Sequence, residues 1–453
     1  MKRKFPFHLS TTHIILLSFL AAIFVGSLIL ALPISSSTGE AVPYIDALFT
    51  ATTSVCVTGL VTLPTVSAWS PFAQVVILIL IQIGGLGIIT IMTGVMLSFH
   101  KRIGMGGRFL LQDAFNLNST SGILRFIRRV LLGTFVVEGV GALLYMTVFV
   151  PEYGARGIWM SVFNAVSAFC NAGMDVISED SLCNYAWNPM VNFVTSMLII
   201  LGGIGYIVWW DVLTVLKDFQ NRKWKCFRSL TLHSKIALST TAFLLVSGGI
   251  AFFVFEYHNP LTLEGLSFFD KVQVALFQSI TTRTAGFASI PQQDLTNASA
   301  FVSLFLMFIG GSPVGTAGGV KTVTIAVLLA SALATIRNKE ETELFHRRIS
   351  KQAINKAVAV VSTSFMIMFV STVLLSAVTN ADALDIVYET VSATATVGLT
   401  RNLTPQLNFW GKLIIIGTMY LGRVGPISLV VAFNTKHESR NVIKNPIEEI
   451  NVG

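Results

Sequence analysis

Apolar residues fall into eight long runs that are separated by polar and charged segments. Each run is close to the roughly 20 residues that an α-helix needs to cross a bilayer, so the pattern predicts eight membrane spans. The runs lie at about 13–33, 72–98, 126–150, 190–216, 232–255, 299–335, 355–378 and 409–433. They form four pairs, and within each pair a shorter, partly polar segment follows the first run.

The four shorter segments share one pattern. Each opens on an apolar residue and an aromatic one, continues through Ser, Thr and small residues, and stops on glycine. The segments are Leu48 to Gly59 (LFTATTSVCVTG), Val162 to Gly173 (VFNAVSAFCNAG), Leu276 to Gly286 (LFQSITTRTAG) and Val387 to Gly398 (VYETVSATATVG). A second glycine cluster follows each of them inside the next apolar run, at Gly84, Gly202, Gly310 and Gly422. Recurrence at matched spacing indicates a fourfold internal repeat.

The short segments are too polar to cross a membrane, but they fit re-entrant half-helices. Irregular backbone at membrane depth is tolerated only where it is buried in protein or lines a water-filled cavity. Each unit is therefore predicted to be an outer helix, a pore helix with its loop, and an inner helix. The predicted fold is an all-α polytopic membrane protein, with eight spans and four re-entrant pore helices in pseudo-fourfold symmetry around one pore. The predicted units are 10–98, 123–216, 232–336 and 355–433, followed by a cytoplasmic tail at 434–453.

Composition agrees with this organisation. Of the 453 residues, 53% are hydrophobic and only 12% are charged, and the mean hydropathy is +0.71. A soluble chain of this length is seldom so apolar. The composition therefore favours a protein whose main surroundings are the lipid bilayer.

The basic residues predict the orientation. Most of the 31 Lys and Arg residues lie at the two termini and in the three loops between units, whereas the opposite connectors are mainly acidic. Cytoplasmic loops of membrane proteins carry such an excess of Lys and Arg. We therefore expect both termini in the cytoplasm, with the re-entrant loops entering from outside. The net charge of +8 is then a topology signal, and no nucleic-acid partner is needed to explain it.

The terminal glycines point to ion chemistry. A dehydrated cation needs a cage of oxygens, and a narrow filter supplies it with backbone carbonyls that meet at an axis. Glycine tolerates positive φ and close backbone approach, so it lets the preceding carbonyls turn inward. The segment from Thr394 to Leu399 looks like a shortened potassium-channel signature. One such glycine would be weak evidence, but four at matched positions favour a shared pore.

On these four repeats the chain resembles the Trk/Ktr/HKT superfamily of potassium transporters, and most closely the membrane subunit of bacterial Ktr uptake systems. The resemblance implies that the four glycines form one K+-selective filter, with K+ held at its carbonyls. Members with serine at the first glycine position are associated with sodium transport, so Gly59 favours potassium. The implied filter residues are Gly59, Gly173, Gly286 and Gly398, with the two residues before each: Val57 and Thr58, Asn171 and Ala172, Thr284 and Ala285, and Thr396 and Val397.

The third inner run contains a stretch that disfavours a continuous helix, because it combines five glycines with a proline. The resemblance implies an intramembrane gate at this place, although a packing kink is the alternative. The candidate gate residues are Gly310, Gly311, Ser312, Pro313, Val314, Gly315, Thr316, Ala317, Gly318 and Gly319.

Three cations lie near these elements. Arg423 is in the middle of the last span, where an arginine is costly enough to be a functional candidate. The resemblance implies that it lines the pore as part of the gate, and the alternative is a structural pairing with carbonyls or an acid. We expect Arg283 to brace its filter loop, and Lys321 to extend towards the cytoplasm.

Energy and regulation must come from outside the chain. It has no phosphate-binding loop of the Walker type and no cytoplasmic segment long enough for a catalytic domain, so we expect no enzyme activity. The resemblance implies a homodimer in the plasma membrane of a bacterium. It also implies a cytoplasmic ring of nucleotide-binding regulatory subunits, so that a nucleotide acts only through that partner. Sodium coupling stays open. The alternatives are an autonomous cation channel and a non-transporting receptor or scaffold.

Overall fold

The computed structural model describes residues 11–98, 107, 111–112, 122–217 and 226–425, and most of these are helical. The predicted tail at 434–453 lies outside the described residues, as do parts of the loops between the units. The principal helices in chain order are α1 (Thr11–Leu30), α2 (Tyr44–Cys56), α3 (Pro71–Leu86), α4 (Ile88–Ser98), α5 (Ile123–Tyr153), α6 (Ala155–Cys170), α7 (Pro189–Gly203), α8 (Tyr206–Lys217), α9 (Leu232–Glu256), α10 (Phe268–Thr281), α11 (Asn297–Phe308), α12 (Thr322–Ile336), α13 (Lys351–Val378), α14 (Ala383–Ala395) and α15 (Phe409–Val424).

Each unit begins with one long outer helix: α1, α5, α9 or α13. These four helices are long and apolar enough to cross a membrane unaided. They keep many large apolar side chains exposed, such as Phe135, Phe243 and Phe365. In a polytopic membrane protein such a face contacts lipid, so the outer helices form the perimeter.

The pore helices α2, α6, α10 and α14 lie inside this perimeter. Most residues in their second halves are buried, including Ser, Thr and Asn side chains that would be exposed on a soluble amphipathic helix. Each helix stops just before the glycine of its segment. The carbonyl ends of four helices, which carry partial negative charge, therefore converge on one place.

The inner helices start at matching caps. The side chains of Ser70, Asn188, Thr296 and Asn408 each accept a hydrogen bond from a backbone N–H in the first turn of α3, α7, α11 and α15. Such caps satisfy donors that the helix leaves unpaired. The four inner helices thus begin at a defined residue beyond the glycine that ends each short segment.

The inner helices are less continuous than the sequence predicts. In the first unit α3 and α4 bend by 99°, and in the second α7 and α8 bend by 100°. The backbone turns at Gly87 (φ +84°) and Gly205 (φ +91°), a conformation that glycine adopts without strain. In the third unit the run is split into α11 and α12, with residues 310–319 between them. The apolar runs at 72–98 and 190–216 are therefore each divided into two helices.

Polar contacts join neighbouring units. Trp159 donates to Gln74 between the first two units, and Lys412 pairs with Asp46 at 2.5 Å between the last and the first. The second of these contacts closes the ring of units. A small antiparallel hairpin, β1 (Glu343–Leu344) with β2 (Arg347–Arg348), lies in the loop between the third and fourth units.

Candidate functional site

The backbone before each terminal glycine is left-handed at a non-glycine residue. Val57, Asn171, Thr284 and Thr396 have φ of +54°, +60°, +65° and +50°. Each stands two residues before its glycine, and the four glycines have positive φ as well. A β-branched residue in this region is a strained outlier that persists only where the surroundings enforce it. All four segments are therefore held in the same unusual conformation.

The four glycines meet at one point. A Cβ built on Gly59 would lie 3.2 Å from the Cα atoms of both Gly173 and Gly398, and one built on Gly286 would lie 3.0 Å from the Cα of Gly173. Few real Cβ atoms approach backbone so closely, and Cβ atoms on Gly173 and Gly398 would come closer still, at 2.7 Å from the Cα of Gly286 and 2.8 Å from that of Gly59. Only glycine fits at these positions, and the sequence-predicted glycines form a closed ring.

Four carbonyl oxygens lie within this ring, and each comes from the residue before a glycine. Each oxygen faces the glycine of a neighbouring unit. The distances from the built Cβ atoms are 2.6 Å from Gly59 to the oxygen of Ala172, 2.6 Å from Gly173 to that of Ala285, 2.5 Å from Gly286 to that of Val397, and 2.3 Å from Gly398 to that of Thr58. The predicted residues Thr58, Ala172, Ala285 and Val397 thus contribute backbone oxygens to one cluster.

Hydroxyl groups hold the segments from behind. The N–H of Gly59 donates to Thr53 at 2.9 Å, and the N–H of Gly398 donates to Ser392 at 3.0 Å. In the second unit Ser167 accepts from the N–H that follows the glycine. These bonds turn backbone donors towards the pore helices and away from the ring. The ring is consequently rich in acceptors, which suits a cation.

The third segment is anchored differently. It is one residue shorter than the others, and the hydroxyl of Thr281 donates to the carbonyl of Phe287 at 2.6 Å. Behind it the buried guanidinium of Arg283 donates to the carbonyls of Gly310 and Thr241. Arg283 therefore connects this segment to α9 and to the stretch that follows α11, and it stays off the ring.

The predicted gate stretch, residues 310–319, packs against the left-handed residues. The N–H of Gly318 donates to Thr284 at 3.1 Å, and the hydroxyl of Thr316 lies 3.3 Å from the side-chain oxygen of Asn171. A Cβ on Gly318 would overlap the hydroxyl of Thr396. Three of the four left-handed side chains thus touch this loop, which lies across one side of the ring.

Besides Arg283, two part-buried cations fasten the loop. Arg423 donates from Nη1 to the carbonyl of Thr316 and from Nη2 to that of Gly84, both at 2.7 Å. Lys321 donates from Nζ to the carbonyl of Ala317 at 2.6 Å, so its ammonium binds the loop instead of extending away from it. Both cations use carbonyls as partners.

The second glycine cluster has a structural explanation in three of the four repeats. A Cβ on Gly84, Gly202 or Gly422 would lie 1.9 to 2.2 Å from a carbonyl oxygen in the last turn of the adjacent pore helix. These glycines allow the inner helices to touch the pore helices directly. Sequence reasoning detected the cluster but not this contact or the bends beyond it.

An acidic residue, Asp175, lies just beyond the ring glycine of the second unit, Gly173. Asp175 is buried in the loop after Gly173 and accepts hydrogen bonds from the N–H groups of Ile177 and Ser178. Burial outweighs these bonds and raises the pKa of Asp175 to about 6.

Comparisons with known proteins give a consistent answer. A family model described as TrkH, cation transport protein, matches residues 2–445. The chain is 39% identical to the potassium/sodium uptake protein NtpJ of Enterococcus hirae, over 100% of this chain and 99% of that one. It is 40% identical to the Ktr system potassium uptake protein B of Bacillus subtilis, over 97% of this chain and 96% of the relative. Its fold matches the crystal structure of the potassium transporter TrkH from Vibrio parahaemolyticus with a TM-score of 0.74, at 16% identity, over 96% of this chain and 87% of that one.

Proposed function

The chain belongs to the TrkH family of cation transport proteins, and from this membership we propose that it takes up potassium through the ring of glycines. The ring is the selectivity filter in this proposal, and the carbonyls of Thr58, Ala172, Ala285 and Val397 replace water around the ion. The membrane potential contributes about 2.3 kcal/mol per unit charge per 100 mV to uptake, and the proposal needs no ATP hydrolysis in this chain.

One observation supports the proposal most strongly. Four backbone segments from four units bring carbonyl oxygens and glycines together, while hydroxyls of the pore helices hold the N–H groups back. Neutral carbonyl dipoles are the ligands that potassium filters use. A receptor or scaffold has no need for left-handed backbone at four matched places.

A serine substitution tests the filter. Gly59→Ser places a Cβ 2.6 Å from the carbonyl of Ala172, so we expect a lower ratio of potassium to sodium flux in proteoliposomes. Gly39→Ser is the matched control, because Gly39 also has positive φ (+78°) but nothing within 4 Å of its Cβ position. An unchanged flux ratio in Gly59→Ser, with normal membrane insertion, contradicts the assignment.

The loop of residues 310–319 is proposed as the gate. It contacts the filter at Thr284 and Asn171, and Arg423 holds it through the carbonyl of Thr316. The same guanidinium places a positive charge below the carbonyl cluster, where it disfavours cation passage. Opening then requires that the loop leave its carbonyl and hydroxyl partners.

Regulation is proposed to come from a cytoplasmic partner. The Bacillus subtilis relative is named as part of a Ktr system, and we propose a homodimer in the bacterial plasma membrane, with both termini in the cytoplasm, on a ring of nucleotide-binding subunits. The basic loop from Arg337 to Lys356, which contains the β1–β2 hairpin, is the proposed docking surface. Potassium uptake with and without such a subunit, and with and without sodium, tests the partner and the coupling separately. Uptake that needs no partner would favour the autonomous channel.

A further inference from the structure

Each pore helix carries a buried polar residue at the matching position upstream of its glycine. The four residues are Thr50, Asn164, Gln278 and Glu389, and none is more than 2% exposed. Burying a polar side chain is unfavourable unless it is hydrogen bonded. The partners of these residues therefore show what the position does in each unit.

Glu389 binds the chain just beyond the fourth glycine. Its Oε2 accepts from the hydroxyl of Thr400 at 2.7 Å, and its Oε1 accepts from that of Thr404 at 2.5 Å. The hydroxyl of Thr400 also accepts from the N–H of Leu403. A short turn on the outer side of Gly398 is thus tied to the middle of its own pore helix. We call Glu389, Thr400 and Thr404 the outer clamp.

Neighbouring contacts link the outer clamp to the third unit. Arg401, within the same turn, pairs with Asp385 at 2.7 Å and donates to the carbonyl of Gln292 at 3.0 Å. The side chain of Gln292 accepts from Gln278, which occupies the matching position of the third pore helix. Tyr388 also donates to Gln292. The outer ends of the third and fourth filter segments are therefore braced against each other.

The second unit lacks this arrangement. Both amide atoms of Asn164 are buried without a hydrogen-bond partner in the part of the chain that the structure describes. Among the second, third and fourth units, side-chain bracing through this matched position is therefore seen in the third and fourth. The four matched pore-helix positions, which are equivalent in the repeat, therefore differ in their hydrogen bonding.

We propose that Glu389 is a positioning residue for ion selectivity, acting through the outer clamp on the fourth filter segment. This inference rests on the proposed potassium function. Thr396 and Gly398 hold a strained backbone that tends to relax, and Ser392 secures only its inner side. The outer clamp secures the other side, so the carbonyl of Val397 keeps the position that discriminates between ions. Supporting residues of this kind must hold a site within about 0.5 Å.

The test is the ratio of potassium to sodium flux in proteoliposomes. Glu389→Gln and Thr404→Val each remove a buried hydrogen bond of the outer clamp, and we expect the ratio to fall by roughly tenfold. Thr404→Ser keeps the hydroxyl and should restore the ratio. The matched control is Glu256→Gln, because Glu256 is buried and accepts from Thr262 and Thr296 hydroxyls but touches no filter residue.

The outcomes separate the two proposals. If the unsubstituted protein does not discriminate between the ions, the proposed function itself fails. If it does, and the ratio is unchanged in Thr404→Val or falls equally in Glu256→Gln, the positioning role of the outer clamp is wrong. Should Glu389→Gln fail to insert into the membrane, the pair Thr404→Val and Thr404→Ser still decides.

Discussion

Replacing Gly398 by alanine places a methyl group in the narrowest gap of the glycine ring. Gly398 has φ of +98°, and its added Cβ would lie 2.3 Å from the carbonyl oxygen of Thr58 and 2.8 Å from the Cα of Gly59. Both obstructing atoms belong to backbone, so no side chain can rotate out of the way. The filter must move if the variant is to fold.

The size of the effect follows from these distances. A left-handed non-glycine residue costs about 1–2 kcal/mol. A carbon next to a carbonyl oxygen needs about 3.3 Å, so the two segments must separate by roughly 1 Å. Misplacing a functional group by that distance can reduce its effect by about 100-fold. We therefore expect Gly398→Ala to lower the ratio of potassium to sodium flux by at least about tenfold.

The assay combines flux with thermal stability in detergent. Gly417→Ala is the matched control, because Gly417 lies in α15 and its Cβ position has nothing within 4 Å. Alanine in a helix interior is favoured over glycine by about 1 kcal/mol. Gly417→Ala should therefore keep its selectivity and be equally or more stable.

Two results would refute this reasoning. The first is a Gly398→Ala protein that inserts normally and keeps its selectivity, because the ring would then not discriminate between ions. The second is an equal loss in both variants, which would indicate a general response of the last unit to added volume. A fall in the ratio of potassium to sodium flux in Gly398→Ala alone supports the assignment of the glycine ring as the selectivity filter.

Three further predictions concern the gate, a hydroxyl anchor and pH. Arg423→Gln removes charge-assisted hydrogen bonds of about 1.5–3 kcal/mol each, including the one to the carbonyl of Thr316. Potassium flux without a partner subunit should therefore rise at least tenfold, and an unchanged flux contradicts a gating role. Thr53→Val removes the acceptor for the N–H of Gly59 and should reduce selectivity, whereas equal flux ratios would show that the anchor is dispensable. Asp175 has a pKa raised to about 6 by burial, so its contribution to stability is present below pH 4 and is lost as the pH rises through 6. Asp175→Asn should therefore gain on the order of 3 kcal/mol over the unsubstituted protein between pH 4 and 7, and parallel melting curves across this range would contradict it.

The sequence predicts the architecture because hydrophobic length and internal repetition are strong signals. The TrkH family match and the fold agree with the predicted pore-loop repeat. The glycines of the ring could be identified because their steric requirement excludes other residues. Thr58, Ala172, Ala285 and Val397 carry no signal of their own, since any residue has a carbonyl, and they were identified only through their glycines.

Other features left little trace in the sequence. Val57 and Thr396 are β-branched, and β-branched residues disfavour positive φ. Their backbone preferences therefore argue against the left-handed conformation that they adopt. The bends at Gly87 and Gly205 look like ordinary helix glycines until the contacts beside them are known. The direction of Lys321 depends on loop carbonyls whose position only the fold reveals. Glu389, by contrast, could have been found by aligning the four segments, because a polar residue recurs at its position in all of them.

The ring of glycines also sets when the pore can first exist. It is closed by the contact between Gly398 and Thr58, which belong to the last and the first units of the chain. The ribosome makes these units in order, so the first three are in the membrane before the fourth is complete. Contacts between residues so far apart in the chain also form slowly. A nascent or truncated chain that lacks the fourth unit therefore lacks the closed ring of glycines.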